Sequence, residues 1–219
     1  MNKQKNENKI LLETMINLYT VDKGKLKILL ERKKEEPYKG YWTLPNDILE
    51  KDKTLETTIE SILNKTINTS SIYIEQNRTF SEIDRNPNNR VVATSYIGLV
   101  DNRIIKLNEE QEINWFSLDE LPKIGYDHKE IIEESKKLLK TKLVNTTILK
   151  NLFPSDFTLP ELQSVFESIM NKKIDRRNFR KKFFTLNLIE ETGYNSIGGS
   201  GRPAKLYKFK ENIKEINLF

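Results

Sequence analysis

The chain has 219 residues, enough for one large or two smaller domains with a packed core, and it has no cysteine, which excludes disulfides, thiolate metal centres and cysteine nucleophiles. Its 37 basic and 32 acidic residues give a net charge of +5, but the excess is uneven: residues 150–219 hold 13 basic and 8 acidic side chains, and the rest of the chain holds 24 of each. No apolar run approaches the roughly 20 residues of a membrane span, and the polar start MNKQKNENK is unlike a signal peptide, so a cytoplasmic protein without membrane contact is expected.

In chain order, residues 10–20 and 26–32 are apolar and strand-like, and the turn Asp22-Lys23-Gly24 between them predicts a hairpin. Residues 41–49 are short, contain Pro45 and are expected to pass beside the sheet. Leu55, Ile59, Ile62 and Leu63 recur at helical spacing and predict a helix over 54–65 that starts near Thr54. Strands follow at 72–80, 91–100 and 113–116, with the polar loop DRNPNNR at 84–90. A long helix is expected over 127–144, capped by Asp127. Strands, a helix, strands and a helix make an α+β domain with a mixed sheet, placed at residues 1–146.

A second domain is expected over 147–219, with helices at 146–152, 159–170 and 175–186 and a strand pair at 188–192 and 205–209. Its most telling segment is NKKIDRRNFRKK, residues 171–182. Asp175 is placed as N-cap. Phe179 and Phe183 form an apolar stripe, while the i, i+4 pairs Arg176/Arg180 and Arg177/Lys181 load the other side with positive charge. GGSGRPAKLYKF, residues 198–209, then reads as the turn and return strand of a hairpin with Arg202 at its tip. A charge run alone is most often a solvated face. A two-faced basic helix followed by a basic hairpin is instead what a winged helix-turn-helix presents to DNA.

Residues 31–68 resemble the core of a Nudix domain, with Trp42, Leu44 and Pro45 matching the lead-in and Leu63 an aliphatic of the signature. The signature's functional positions do not match. Its first glycine falls on Asp47 and its first glutamate on Lys53. Its Arg-Glu pair falls on Ser61 and Ile62, its Glu-Glu pair on Lys65 and Thr66, and its closing glycine on Asn68. Nudix hydrolysis needs clustered carboxylates to hold Mg²⁺, and isoleucine cannot coordinate a cation while lysine repels one. The expectation is a Nudix fold without catalysis, cofactor or metal; Glu50, Glu56 and Glu60 are read as solvated. A narrower resemblance fits most of the chain, from about residue 10 to 209: PYKGYWTLP, IDRNPNNRVVATSYIGLV, LPKIGYDHKEI, FPSDFTLPELQSVFESI, KKIDRRNFRKK and GRPAKLYKF are similar to Nudix-related transcriptional regulators of the NrtR type. That resemblance implies an N-terminal sensor and a C-terminal winged helix.

Candidate DNA-binding residues are Arg176, Arg177, Asn178, Arg180, Lys181, Arg202 and Lys205. Asn can read adenine and Arg guanine bidentately, while an arginine in a wing suits the minor groove or phosphate. Candidate effector-binding residues are Arg32, Trp42, Arg85, Arg90 and His128. A guanidinium fork matches phosphate or carboxylate. Against this, surface arginines usually pair with nearby carboxylates, Trp42 is more often core, and the larger share for His128 goes to a structural or conformational role beside Asp127.

The expected function is a homodimeric, ligand-responsive regulator, a repressor rather than an activator, binding palindromic double-stranded DNA. One short helix reads too few base pairs alone. The family suggests ADP-ribose or a sugar such as a pentose as effector, and the missing carboxylates favour the sugar. The alternatives are an active Nudix hydrolase with an accessory nucleic-acid-binding domain, and a binding module whose basic end serves RNA or protein.

Overall fold

The computed structural model describes residues 9–69, 72–143, 146–153, 156–196 and 203–211. The first hairpin is β1 (Leu11–Asp22) and β2 (Lys25–Arg32). Lys23 (φ 49°) and Gly24 (φ 72°) are both left-handed, as a two-residue turn that follows strand twist requires. Residues 41–49 do not merely pass beside the sheet. They give two short strands, β3 (Trp42–Thr43) on β2 and β4 (Asn46–Ile48) on the first half of β1, with Pro45 in the break between them. After helix α1 (Leu55–Ile67) come β5 (Tyr73–Phe80), β6 (Val91–Leu99) and β7 (Ile113–Ser117). β6 runs parallel to β1 and antiparallel to β5, and β7 pairs with β2, so the sheet is mixed, in the order β3-β2-β1-β6-β5.

Strand alternation assigns the two faces. Ile16, Leu18 and Leu29 turn toward α1, where Ile59, Ile62, Leu63 and Ile67 close a small core. Met15, Tyr19, Leu26, Ile28 and Leu30 turn to the other face, against α2 (His128–Leu143). Thr54 caps α1 in a reciprocal box with Thr57. α2 differs from expectation at its start: the Asp127 backbone carbonyl accepts from Ile131, but the Asp127 carboxylate is taken by Arg85.

The next described element is helix α3 (Thr146–Leu152), whose first residue stands at the expected boundary. Then come β8 (Phe157–Thr158), α4 (Leu159–Met170), α5 (Arg176–Thr185), β9 (Ile189–Asn195) and β10 (Lys205–Phe209), with sheet order β8-β10-β9. This is the winged-helix order. The two-residue β8 has no sequence signal of its own, because its pairing with β10 is purely tertiary. Phe166, Phe179 and Phe183 stack at the centre of this unit, and their cluster is continuous with the α2 side of the larger sheet. The β1–β2 turn reaches across: Ser164 Oγ of α4 donates to the Gly24 carbonyl at 2.7 Å. No helix among the described residues is long and apolar enough to cross a membrane.

Candidate effector rim and nucleic-acid interface

The α5 helix is built to show one face. Asp175 accepts from the Asn178 backbone N–H at 2.9 Å, fixing the first turn. Phe179 and Phe183 are buried, so helical spacing forces Arg176, Arg177, Asn178, Arg180 and Lys181 outward, and all five are exposed. Arg180 lies over the Phe184 ring at 5.4 Å. Arg176 and Arg180 join Lys205 around a cleft of about 180 Å³ between α4, α5 and β10. Lys205 is less free than the helix cations, since it pairs across the wing with Glu191 at 2.8 Å. Arg202 lies outside the described residues.

The effector candidates converge on one rim of the larger sheet but are mostly engaged. Arg85 is 6% exposed. Its Nε and Nη2 donate to the two Asp127 carboxylate oxygens, and its Nη1 donates to Glu13, all at 2.9 Å. The carboxylates the sequence reading allowed for therefore occupy this fork, and it is not a free anion receptor. Arg90 donates to the backbone carbonyls of Ser81, Glu82 and Val91 and pins the loop it closes. Arg32 is exposed, but it pairs with Glu112 at 2.5 Å and donates to the Gly40 carbonyl. Trp42 is half-buried edge-on to Phe116, with ring centroids 4.6 Å apart. His128 is buried, and its Nδ1 accepts from the Leu44 backbone N–H at 3.0 Å. Burial, then the charges of Arg85 and Lys33, push its pKa down to about 3, so it is neutral and acts as a fixed acceptor between β3 and α2.

Between these residues lie side chains that sequence reasoning missed. Tyr38, Tyr41 and Tyr126 form a half-buried cluster, with Tyr38 at 5.4 Å from Tyr41 and 4.6 Å from Tyr126. Lys123 sits over the Tyr41 ring at 4.3 Å and Lys33 over Tyr126 at 5.9 Å. Gly125 permits the approach of the loops, because a Cβ there would stand 3.1 Å from Tyr38 Cβ. Tyr38 and Tyr41 share one loop but Tyr126 lies in another far along the chain, so no local pattern marked them as one group.

At the family level, residues 149–209 match the NrtR DNA-binding winged helix domain. Over 214 residues the chain is 29% identical to the ADPR responsive transcriptional repressor NtrR of Acinetobacter baylyi, covering 95% of this chain and 85% of that protein. Its structure superposes on that of Shewanella oneidensis NrtR with a TM-score of 0.77 at 28% identity, covering 91% of this chain and 94% of the other. The likeness extends across both halves. The chain resembles the NrtR-type Nudix-related regulators. The Shewanella NrtR has also been solved with a 27mer DNA, and that structure matches with a TM-score of 0.76 at 28% identity over 91% of this chain and 93% of the other. A more distant relative is the ADP-ribose pyrophosphatase of Methanocaldococcus jannaschii, 28% identical over 109 residues, 49% of this chain and 64% of that enzyme.

Within this NrtR-type frame, α1 keeps the Nudix backbone and not its donors. Asn68, at the closing-glycine position, holds the left-handed conformation (φ 52°) that a glycine would supply, and its N–H returns to the Leu63 carbonyl. Ile62 is buried in the core against the sheet, and the Thr66 hydroxyl bonds back to the Ile62 carbonyl. Lys65 pairs with Asp47 at 2.5 Å, and Lys53 with Glu50 at 2.8 Å. Two ammonium groups, an isoleucine and a back-bonded threonine do not fit a divalent cation.

Proposed function

We propose that the chain is a homodimeric transcriptional repressor that binds palindromic operator DNA through α5 and the wing. Its Nudix-like domain holds ADP-ribose without hydrolysing it, and ADP-ribose releases the DNA. The observation that carries this reading is the solvent-facing row of Arg176, Arg177, Asn178, Arg180 and Lys181 on a capped helix of the winged unit. Similarity to the Acinetobacter repressor over nearly the whole chain supports it. The ADP-ribose in that repressor's name moves the effector from the sugar favoured by sequence alone to ADP-ribose, and bound ADP-ribose does not require turnover. Selection of bound duplexes from a random DNA pool, followed by electrophoretic mobility shifts on the selected palindromic site, tests the reading. ADP-ribose should release the DNA and a free pentose should not. A protein that binds no such site, or is released only by the pentose, would refute it.

The hydrolase reading has one observation in its favour, the partial match to the archaeal pyrophosphatase. It requires carboxylates where Lys53, Ile62, Lys65 and Thr66 stand. Mg²⁺-dependent release of AMP from ADP-ribose by purified protein is the test, and none is expected.

A further inference from the structure

The backbone of this chain enters the left-handed region at six described non-glycine residues: Lys23, Tyr38, Asn68, Tyr126, Asn171 and Asn187. Asparagine tolerates that region best after glycine, and bulky side chains are poor occupants of it. Three of the six are asparagines, and Lys23 belongs to the β1–β2 turn. The two exceptions are Tyr38 (φ 72°) and Tyr126 (φ 55°), and their rings touch each other. Two disfavoured backbones thus bring two aromatic rings together, where asparagine or glycine would relax both. Such strain persists where the surrounding structure holds it, and it gathers at ligand clamps.

The surroundings define what the rings could hold. Tyr41 joins the cluster, all three rings are half-buried and keep a solvent side, and the Lys33 and Lys123 ammonium groups lie against Tyr126 and Tyr41. Beneath them, His128 is neutral and Arg85 neutralises the carboxylates of Asp127 and Glu13. Aromatic faces with ammonium groups at their margin suit a ligand that is aromatic at one end and anionic next to it. A free sugar offers neither feature.

We propose that Tyr38, Tyr41 and Tyr126, with Lys33 and Lys123, form the adenine-nucleotide half of the effector site. The base stacks on the tyrosine cluster, and the phosphates draw the two lysines off the rings. This rests on the ADP-ribose reading above.

Titration calorimetry on the full chain with ADP-ribose, AMP and ribose 5-phosphate tests it. Wild-type protein should bind ADP-ribose and AMP competitively, and ribose 5-phosphate at least ten-fold more weakly. Y38N and Y126N suit the left-handed backbone, so they should fold with an unchanged or higher Tm. Each should weaken ADP-ribose and AMP at least ten-fold, in line with the loss of base stacking. K33M and K123M should weaken both ligands while leaving adenosine binding unchanged. If ADP-ribose binds wild type and all four variants alike, the site lies elsewhere and the effector reading stands. If wild type binds ADP-ribose and the tyrosine variants do not, but ADP-ribose never releases operator DNA, the site stands and the effector reading falls. If wild type binds no adenine nucleotide, both fall.

Discussion

Replacing Arg85 by methionine should cost more than any other single change on the sensor rim. The Arg85 side chain is 2% exposed, and the carboxylates it binds, Glu13 and Asp127, are 13% and 17% exposed. Formation of such a buried cluster contributes little net stability, because desolvation offsets the attraction. Removal of its one cation is different. Two carboxylates are then left facing each other without a counter-charge, and breaking a buried pair costs about 3–5 kcal/mol. In a chain of this size about 1 kcal/mol moves Tm by about 2–4 °C, so the fall should be about 6–20 °C. The measurement is thermal denaturation followed by circular dichroism, at about pH 7.5 and about pH 5. Orphaned carboxylates take up protons more readily folded than unfolded, so their penalty is largest at the higher pH and fades as pH falls. Glu13 already leans this way, since burial raises its pKa even with Arg85 in place. The deficit should therefore shrink at about pH 5. R85K should recover only part of it, because an ammonium cannot reproduce three bonds from a planar fork. A Tm within about 2 °C of wild type at both pH values would refute the account.

Four other outcomes are expected. His128 is depressed to about pKa 3 in the fold against 6.5 ordinarily, so stability is full above about pH 6.5. It should be lost toward pH 3 at up to about 1.4 kcal/mol per pH unit; H128N keeps an acceptor for Leu44 and should flatten the slope in denaturant titrations, and an unchanged slope would sink the assignment. Alanine at Arg177, Asn178 or Lys181 should weaken operator binding by about 1–3 kcal/mol where the side chain reads a base, or reduce the salt dependence where it touches phosphate. A chain ending at Leu143 should not bind operator at all, and retained binding would overturn the assignment to α5. S164A should lower the melting temperature of the winged unit relative to the sheet domain, seen as a broadened or split calorimetric transition; a single unshifted transition would show that the bond to Gly24 is incidental.

The winged half was legible because its signals are local. Asp175, the Phe179/Phe183 stripe and the charged positions between them follow from helical spacing alone. The larger sheet was legible as apolar, strand-like runs in β1, β2 and β6, and α1 as a stripe of Ile59, Ile62 and Leu63. The rim was not legible. Arg85 looked like an exposed loop arginine because Glu13 and Asp127, its partners, are 72 and 42 residues away. Asp127 looked like a helix cap for the same reason. Tyr38 and Tyr126 carried no signal, since a positive φ at tyrosine runs against the residue's own preference and is imposed by tertiary contact.

The seam between sensor and head has a consequence for how DNA is released. One hydrophobic cluster runs from Met15 and Ile131 through Phe157 to Phe179, and the Gly24–Ser164 bond crosses beside it. α2, about 24 Å long at helical rise, ends at Leu143, and α3 begins at Thr146. A hinge inside one subunit would have to open that cluster to water. In the proposed dimer each subunit is better viewed as a rigid arm whose hand is fixed to its forearm. The gap between the two hands is then set at the shoulder, where subunits meet, and an effector would reach the operator by changing the angle between whole arms.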